Sequence, residues 1–185
     1  MQQFLSGGYH GTTMDQLARS FGASKSTLYL RYGSKVGLLR AAMERAEPLL
    51  RTPLEAVDAD PRRSPRDVLR EFGWVLLQYS ADPGIRALWS AVIEAKNEVD
   101  DLVLEVTEGT ARTLQPLARY FEQMSAAGAL RLTDPWYAAS TFTEMVTGGL
   151  SRYMRGPFSE AEGETALELA LDLFLRGVEP RDGAA

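Results

Sequence analysis

The sequence contains no cysteine. That removes a disulfide framework, a thiol nucleophile and every thiolate metal site. Histidine occurs once, as His10 in the run Gly7-Gly8-Tyr9-His10-Gly11. A Ser-His-Asp set could draw only on that loop histidine, and the lack of paired histidines weakens a transition-metal site. Asp101, Glu105 and Glu108 share a helix face but read as a solvated acidic face rather than a carboxylate metal centre. No G-x-G-x-x-G or P-loop run is present, so nucleotide chemistry has no support. No apolar run approaches the roughly 20 residues that span a bilayer, and no basic-then-apolar leader opens the chain. Internal repeats and low-complexity tracts are also missing. These absences point to a cytoplasmic protein that is not an enzyme and carries no metal or cofactor.

Charge is unevenly spread. Residues 1–51 hold seven Lys/Arg against three acids, a net +4, whereas residues 52–185 are net −9. The overall balance of −5 and a pI near 5.0 would argue against a nucleic-acid binder if taken alone. The asymmetry reverses that: a basic head is attached to a body that repels phosphate.

The head carries the most informative stretch, GTTMDQLARSFGASKSTLYLRYGSK, residues 11–35. Thr13 and Gln16 have capping-box spacing, and Met14, Leu17, Ala18 and Phe21 follow as one apolar helical stripe. Gly22 stands where a helix exit needs positive φ. Ser24 caps a second helix whose Leu28 and Tyr32 face inward, with Lys25, Ser26, Thr27, Leu30 and Arg31 mostly on the other side. Gly33 ends it, and Ser34 caps a third helix with Lys35 in its first turn. A cation there opposes the helix dipole by roughly 0.3–1 kcal/mol, a placement that a nearby phosphate would favour. Two short helices joined by a tight turn, the second with a polar and basic outer face, present a helix to the DNA major groove.

Gly8-Tyr9, Gly11-Thr12-Thr13-Met14, Leu17-Ala18, Gly22, Ser24-Lys25, Thr27-Leu28-Tyr29, Tyr32, Ser34-Lys35 and Leu38-Leu39 occur in order and at the right spacing. Through them the segment resembles the DNA-binding domain of the tetracycline-repressor (TetR) family. The resemblance implies that Thr12 and Thr13 set a helix N-terminus and a hydroxyl against phosphate. It implies that Ser24, Lys25, Ser26 and Thr27 reach phosphates and base edges, that Tyr29 gives its hydroxyl to a phosphate, that Arg31 reaches base or backbone, and that Lys35 contacts phosphate. Phosphate contacts supply register and salt dependence, and base contacts supply sequence choice. The chain departs from the family in having Ser26 where glycine is common. It departs also in having only Met1 to Ser6 before Gly7, so that the first helix of the domain is largely missing. Such a head would expose Met14, Leu17, Phe21 and Leu28 as an apolar patch, and the true start is therefore expected upstream of Met1.

The rest reads as all-α. A helix from Ser34 runs through Val36, Leu39, Met43 and Ala46, with Pro48 expected to kink or end it. Further helices are expected from Ser64-Pro65 through Tyr79, over residues 85–97, over 102–127 with a bend near Gly109 or Pro116, from Asp134-Pro135 to about Met154, and from Ser159 to about Arg176. The expected division is a DNA-binding head, residues 1–50, and a ligand-binding and dimerisation body, residues 51–185.

In the last helix Leu167, Leu171, Phe174 and Val178 form a stripe, and Ala166, Leu169, Ala170, Leu173 and Leu175 make the rest nearly all apolar. Such a helix needs cover on more than one side. Gly148 and Gly149, in the helix before it, would allow close approach. The resemblance implies that these two helices pair with their symmetry mates, and Leu167, Leu171 and Phe174 are the expected contacts. The marks Ala127-Gly128-Ala129-Leu130-Arg131, Asp134-Pro135, Ala138-Ala139 and Phe142 are similar to those of one TetR subgroup and imply a ligand-responsive body. Trp74, Tyr79, Trp89, Tyr120, Phe142, Met145 and Tyr153 are candidate linings for a small apolar or aromatic effector, or else ordinary core. Glu94, Asn97, Glu144 and Arg152 are polar residues among apolar ones that would need partners if buried. The expected function is a homodimeric, ligand-responsive repressor of a double-stranded, palindromic DNA operator. The alternative is a helical small-molecule-binding or dimerisation module that has lost DNA binding.

Overall fold

The computed structural model describes residues 7–96, 98, 102–149, 158–178 and 180. Among these the chain is entirely helical, with α1 Met14–Ser20, α2 Lys25–Tyr32, α3 Lys35–Glu55, α4 Pro65–Ala81, α5 Pro83–Ala95, α6 Leu102–Ala111, a 3-10 turn Arg112–Leu114, α7 Gln115–Ala126, α8 Pro135–Thr147 and α9 Glu160–Val178. No helix among the described residues is long and apolar enough to cross a membrane, and no cluster of acidic or histidine side chains there could hold a metal.

The helix ends follow from local chemistry. Asp82 accepts from the Ile85 N–H and Asp134 from the Tyr137 N–H, each at 2.9 Å and each followed by proline in the first turn. Ser159 and Glu162 form a reciprocal cap at the start of α9. Each such cap stabilises its helix by about 1 kcal/mol. The expected bend in the 102–127 segment falls at the 3-10 turn, immediately before Pro116 opens α7.

Three expectations need correction. Pro48 does not end its helix: α3 runs on to Glu55 with Pro48 and Pro53 inside it. The lost backbone bonds are offset by Leu50 and Leu54, which follow Pro48 and Pro53 respectively and are buried in the body core. The helix from Asp134 stops at Thr147, because Gly148 (φ 76°) and Gly149 (φ 58°) both take positive φ. They terminate α8. Finally, Met14, Leu17 and Leu28 are buried, and only Phe21 of the four expected patch residues is exposed.

Two apolar cores result. One gathers Met14, Leu17, Leu28, Leu39 and Met43 from α1–α3 with Ile85, Leu88, Trp89 and Val92 of α5 and Leu102 and Val106 of α6. The other gathers α4, α7, α8 and α9 with the end of α3. Helix α3 therefore contributes its first half to one core and its second half to the other. Helix α4 lies against α9 so closely that a Cβ on Gly73 would overlap the Leu167 side chain. Arg66 bonds Glu168 and Asp172 across the same contact, at 2.7 Å each.

Candidate nucleic-acid interface

The α1–turn–α2 unit is built by hydroxyl caps. The Gln16 N–H donates to Thr13 Oγ1 at 3.3 Å while Gln16 Oε1 accepts from the Thr13 N–H at 2.8 Å, the reciprocal box expected. Gly22 takes φ 61° and reverses the chain. Ser24 Oγ then accepts from the Thr27 N–H at 3.0 Å and lies 2.7 Å from both Ser26 Oγ and Thr27 Oγ1. Gly33 at φ 71° ends α2, and Ser34 Oγ accepts from the Gly37 N–H to start α3.

Helix α2 buries one side and bares the other. Leu28 is buried and Tyr32 half-buried, whereas Ser24, Lys25, Ser26, Thr27, Tyr29, Leu30 and Arg31 are exposed. Lys25 Nζ reaches Asp15 on α1 at 2.9 Å, and that hydrogen bond, with the aspartate charge, raises the lysine pKa. The pair staples the two helices at their outer edge. The Arg31 guanidinium lies over the Tyr32 ring, 5.4 Å from its centroid.

Two expected contact residues, Thr12 and Lys35, are engaged at the Tyr9 turn. Thr12 is buried, and its hydroxyl donates to the Gly8 carbonyl at 2.6 Å. Lys35 Nζ donates to the carbonyls of Tyr9 (2.9 Å) and Thr12 (3.2 Å) and sits 3.8 Å from the Tyr9 ring centroid. The cation at the start of α3 is thus held by carbonyls of the preceding turn. Two of its three donors are used in this way.

The same turn is tied from the other side by residues that sequence reasoning did not connect with the head. Glu94 of α5 accepts from the backbone N–H of Tyr9 at 2.8 Å and of His10 at 3.4 Å. Glu98 accepts from the Tyr9 hydroxyl at 2.7 Å, and burial together with this bond raises the Tyr9 pKa. Gly8 (φ 61°) is required here, since a Cβ would meet the Glu94 carboxylate. Only the Gly-Tyr pair itself signalled the turn; the glutamates lie more than 80 residues away.

The geometry of the head agrees with family comparisons. Residues 1–42 match the model for bacterial regulatory proteins of the tetR family, and residues 67–177 match that for the C-terminal domain of AefR-like transcriptional repressors. The chain belongs to the TetR family. It is a DNA-binding transcriptional regulator, in a family whose members act as dimers and are generally not enzymes. Among solved structures it is similar to a TetR-family regulator from Mesorhizobium loti (TM-score 0.80, 23% identity, 97% of this chain and 92% of that one). It is also similar to the flavonoid-responsive regulator FrrA (0.72, 27%, 97% and 93%) and to PfmR from Thermus thermophilus (0.65, 24%, 97% and 96%). No curated protein matches the chain.

Most of the candidates for an effector pocket gather in or against the body core of this TetR-family fold, and Tyr79 also touches the head-side core. Tyr120 and Phe142 are buried in the body core and Trp89 in the head-side core. Trp74, Tyr79 and Met145 are half-buried. Tyr79 lines an open groove of about 250 Å³ with Leu49, Pro53, Val75 and Ile85. Trp74 lines another, of about 330 Å³, with Leu77, Phe158 and Gly163. Glu94 has its partners in the head, and Glu144 is exposed. Asn97, Arg152 and Tyr153 lie outside the described residues.

The dimer candidates also sort differently from expectation. Leu167, Leu171 and Phe174 are 2%, 0% and 6% exposed in the single chain and belong to its own core. Leu169 and Leu173, on the other side of α9, are 59% and 55% exposed. A helix apolar all round does not declare which stripe is internal.

Proposed function

We propose that this TetR-family regulator is a ligand-responsive repressor that binds a palindromic operator as a homodimer, with residues 1–50 as its DNA-reading head. The observation that carries this is the face of α2. A short helix, anchored by Leu28 and capped by Ser24, bares Lys25, Ser26, Thr27, Tyr29 and Arg31 on the net-positive part of the chain. Thr13, Tyr29 and Lys25 serve phosphates, with Asp15 giving up Lys25 when a phosphate arrives. Ser26, Thr27 and Arg31 reach base edges. Lys35 offers its third donor to phosphate and keeps the other two on the Tyr9 turn. Thr12 acts by shaping that turn.

A single head reads too few base pairs for specificity, and a two-fold dimer reads two half-sites about one helical turn apart. The exposed Leu169 and Leu173 of α9 supply the self-complementary apolar stripe, while Leu167, Leu171 and Phe174 stiffen the helix from behind. The effector is a small apolar or aromatic molecule, a reading supported by the aromatic grooves at Trp74 and Tyr79 and by the flavonoid response of the similar FrrA. Its entry shifts α5 or α3, which changes the spacing of the two heads and releases DNA.

The test is a salt titration of binding between the purified chain and DNA flanking its own gene. Binding to one fragment above the nonspecific level, weakening steeply with salt and fitting a dimer, is the expected result. Absence of binding at low salt would leave the alternative, a helical ligand-binding module that has lost DNA recognition.

A further inference from the structure

Among the described residues, the most exposed large apolar side chain lies on α2. Leu30 is 90% exposed. At about 100° per residue it points roughly 200° from Leu28, the one fully buried side chain of α2, and so stands at the middle of the bared face. Ser26 lies one turn before it on the same face, with Tyr29 and Arg31 on either side. An isolated surface leucine is ordinary. A leucine at the centre of a cation-flanked face, on a helix whose other outward residues can all hydrogen-bond, is different, because it carries no donor or acceptor for a base or a phosphate. The major groove presents one apolar group for such a side chain, the C5 methyl of thymine.

We propose that Leu30 determines operator specificity by packing on a thymine methyl in each half-site. This rests on the reading of α2 as the recognition helix. The surrounding charge supports DNA as the occupant of this face: Lys25 and Arg31 share α2 with Leu30, and Arg19 lies on α1, within a head that is net positive. Phosphates held by those cations bring the groove floor to the leucine. The methyl and the side chain then leave water together, which favours thymine over cytosine and over thymine lacking its methyl.

The experiment takes duplexes selected by the full chain from a randomised DNA library. Each thymine of the selected site is replaced in turn by deoxyuracil, which removes the methyl and keeps the pairing. Wild-type protein is expected to lose about fourfold in affinity at one thymine per half-site, the equivalent of one unburied methyl. Leu30→Ala is expected to bind thymine and deoxyuracil duplexes equally at that position. Failure of the library to yield any bound sequence would remove the recognition-helix reading itself. Selected DNA that tolerates every deoxyuracil, or a Leu30→Ala protein that retains the full deoxyuracil penalty, would overturn the role of Leu30 while leaving DNA binding intact. The deoxyuracil series on the unaltered protein needs no variant to fold.

Discussion

The two cores of this protein are held together by different means. The body core interlocks rings from four helices. Phe174 lies 5.2 Å from Phe142 and 5.3 Å from Phe121, and Tyr120 lies 6.0 Å from Phe121 and 6.1 Å from Phe72, between centroids. The head-side core is mostly aliphatic, with Tyr9 and Trp89 as its buried aromatics. Its distinctive bonds are polar and gathered at one turn, where Glu94, Glu98 and Lys35 converge on Tyr9. Aromatic interlock resists small displacements, because every ring is packed by others at near-crystalline density. A turn held by a few hydrogen bonds can shift at far lower cost. Helix α5, which supplies Glu94, also supplies a large part of the apolar surface beneath α1–α3. A displacement of α5 therefore moves both the apolar support and the polar tether of the reading head.

Breaking the body core should give the largest effect. Phe142→Ala is expected to cost about 3–5 kcal/mol in urea unfolding, since Phe142 is fully buried and edge-on to both Phe121 and Phe174. A loss below about 1 kcal/mol would mean that the rings do not interlock as described.

Alkali should act on the body core and on the seam between the cores. Burial pushes the hydroxyls of Tyr120 and Tyr79 up to about 12 from 10. A raised folded pKa means that the native state keeps a proton that the unfolded chain gives up. Their contribution is therefore complete below pH 10 and is lost as pH rises toward 12. Stability measured by denaturation across that window should fall, and Tyr120→Phe should flatten the fall. An unchanged slope in Tyr120→Phe would count against its burial.

The polar tether comes next in size. Glu94→Ala removes the acceptor for two backbone N–H groups and should cost about 1–2 kcal/mol. Faster hydrogen exchange is expected at the Tyr9 amide while protection in α7 and α8 stays as it was. Exchange that accelerates equally in both regions would show that the two cores unfold as one unit.

The smallest stability effect separates two lysines. Lys25→Ala should leave stability almost unchanged, because its pair with Asp15 is exposed to solvent. It should still lower the salt slope of DNA binding by about one. Lys35→Ala should lower stability as well, because its ammonium joins Tyr9 and Thr12. Equal stability of the two variants would make the Lys35 contacts dispensable.

Features that span three or four residues could be read from the chain directly. The Thr13–Gln16 box, the Ser24, Ser34, Asp134 and Ser159 caps and the glycine exits at Gly22 and Gly33 all appear where their spacing places them. A cap is a bond between near neighbours, and positive φ is a property of one residue. The inward set of α2, Leu28 and Tyr32, was legible for the same reason: its opposite side is largely polar, and Leu30 is the exception that marks itself. Tertiary packing decided the rest. It chose Leu167, Leu171 and Phe174 over Leu169 and Leu173 as the inner stripe of α9, a helix with apolar residues on every side. It carried α3 through two prolines by burying Leu50 after the first and Leu54 after the second. It paired Glu94 with Tyr9 and assigned Lys35 to backbone carbonyls. The Glu94 and Lys35 contacts join groups 23 to 85 residues apart, and the α9 contacts join groups farther apart still; all of them meet only after the helices have packed.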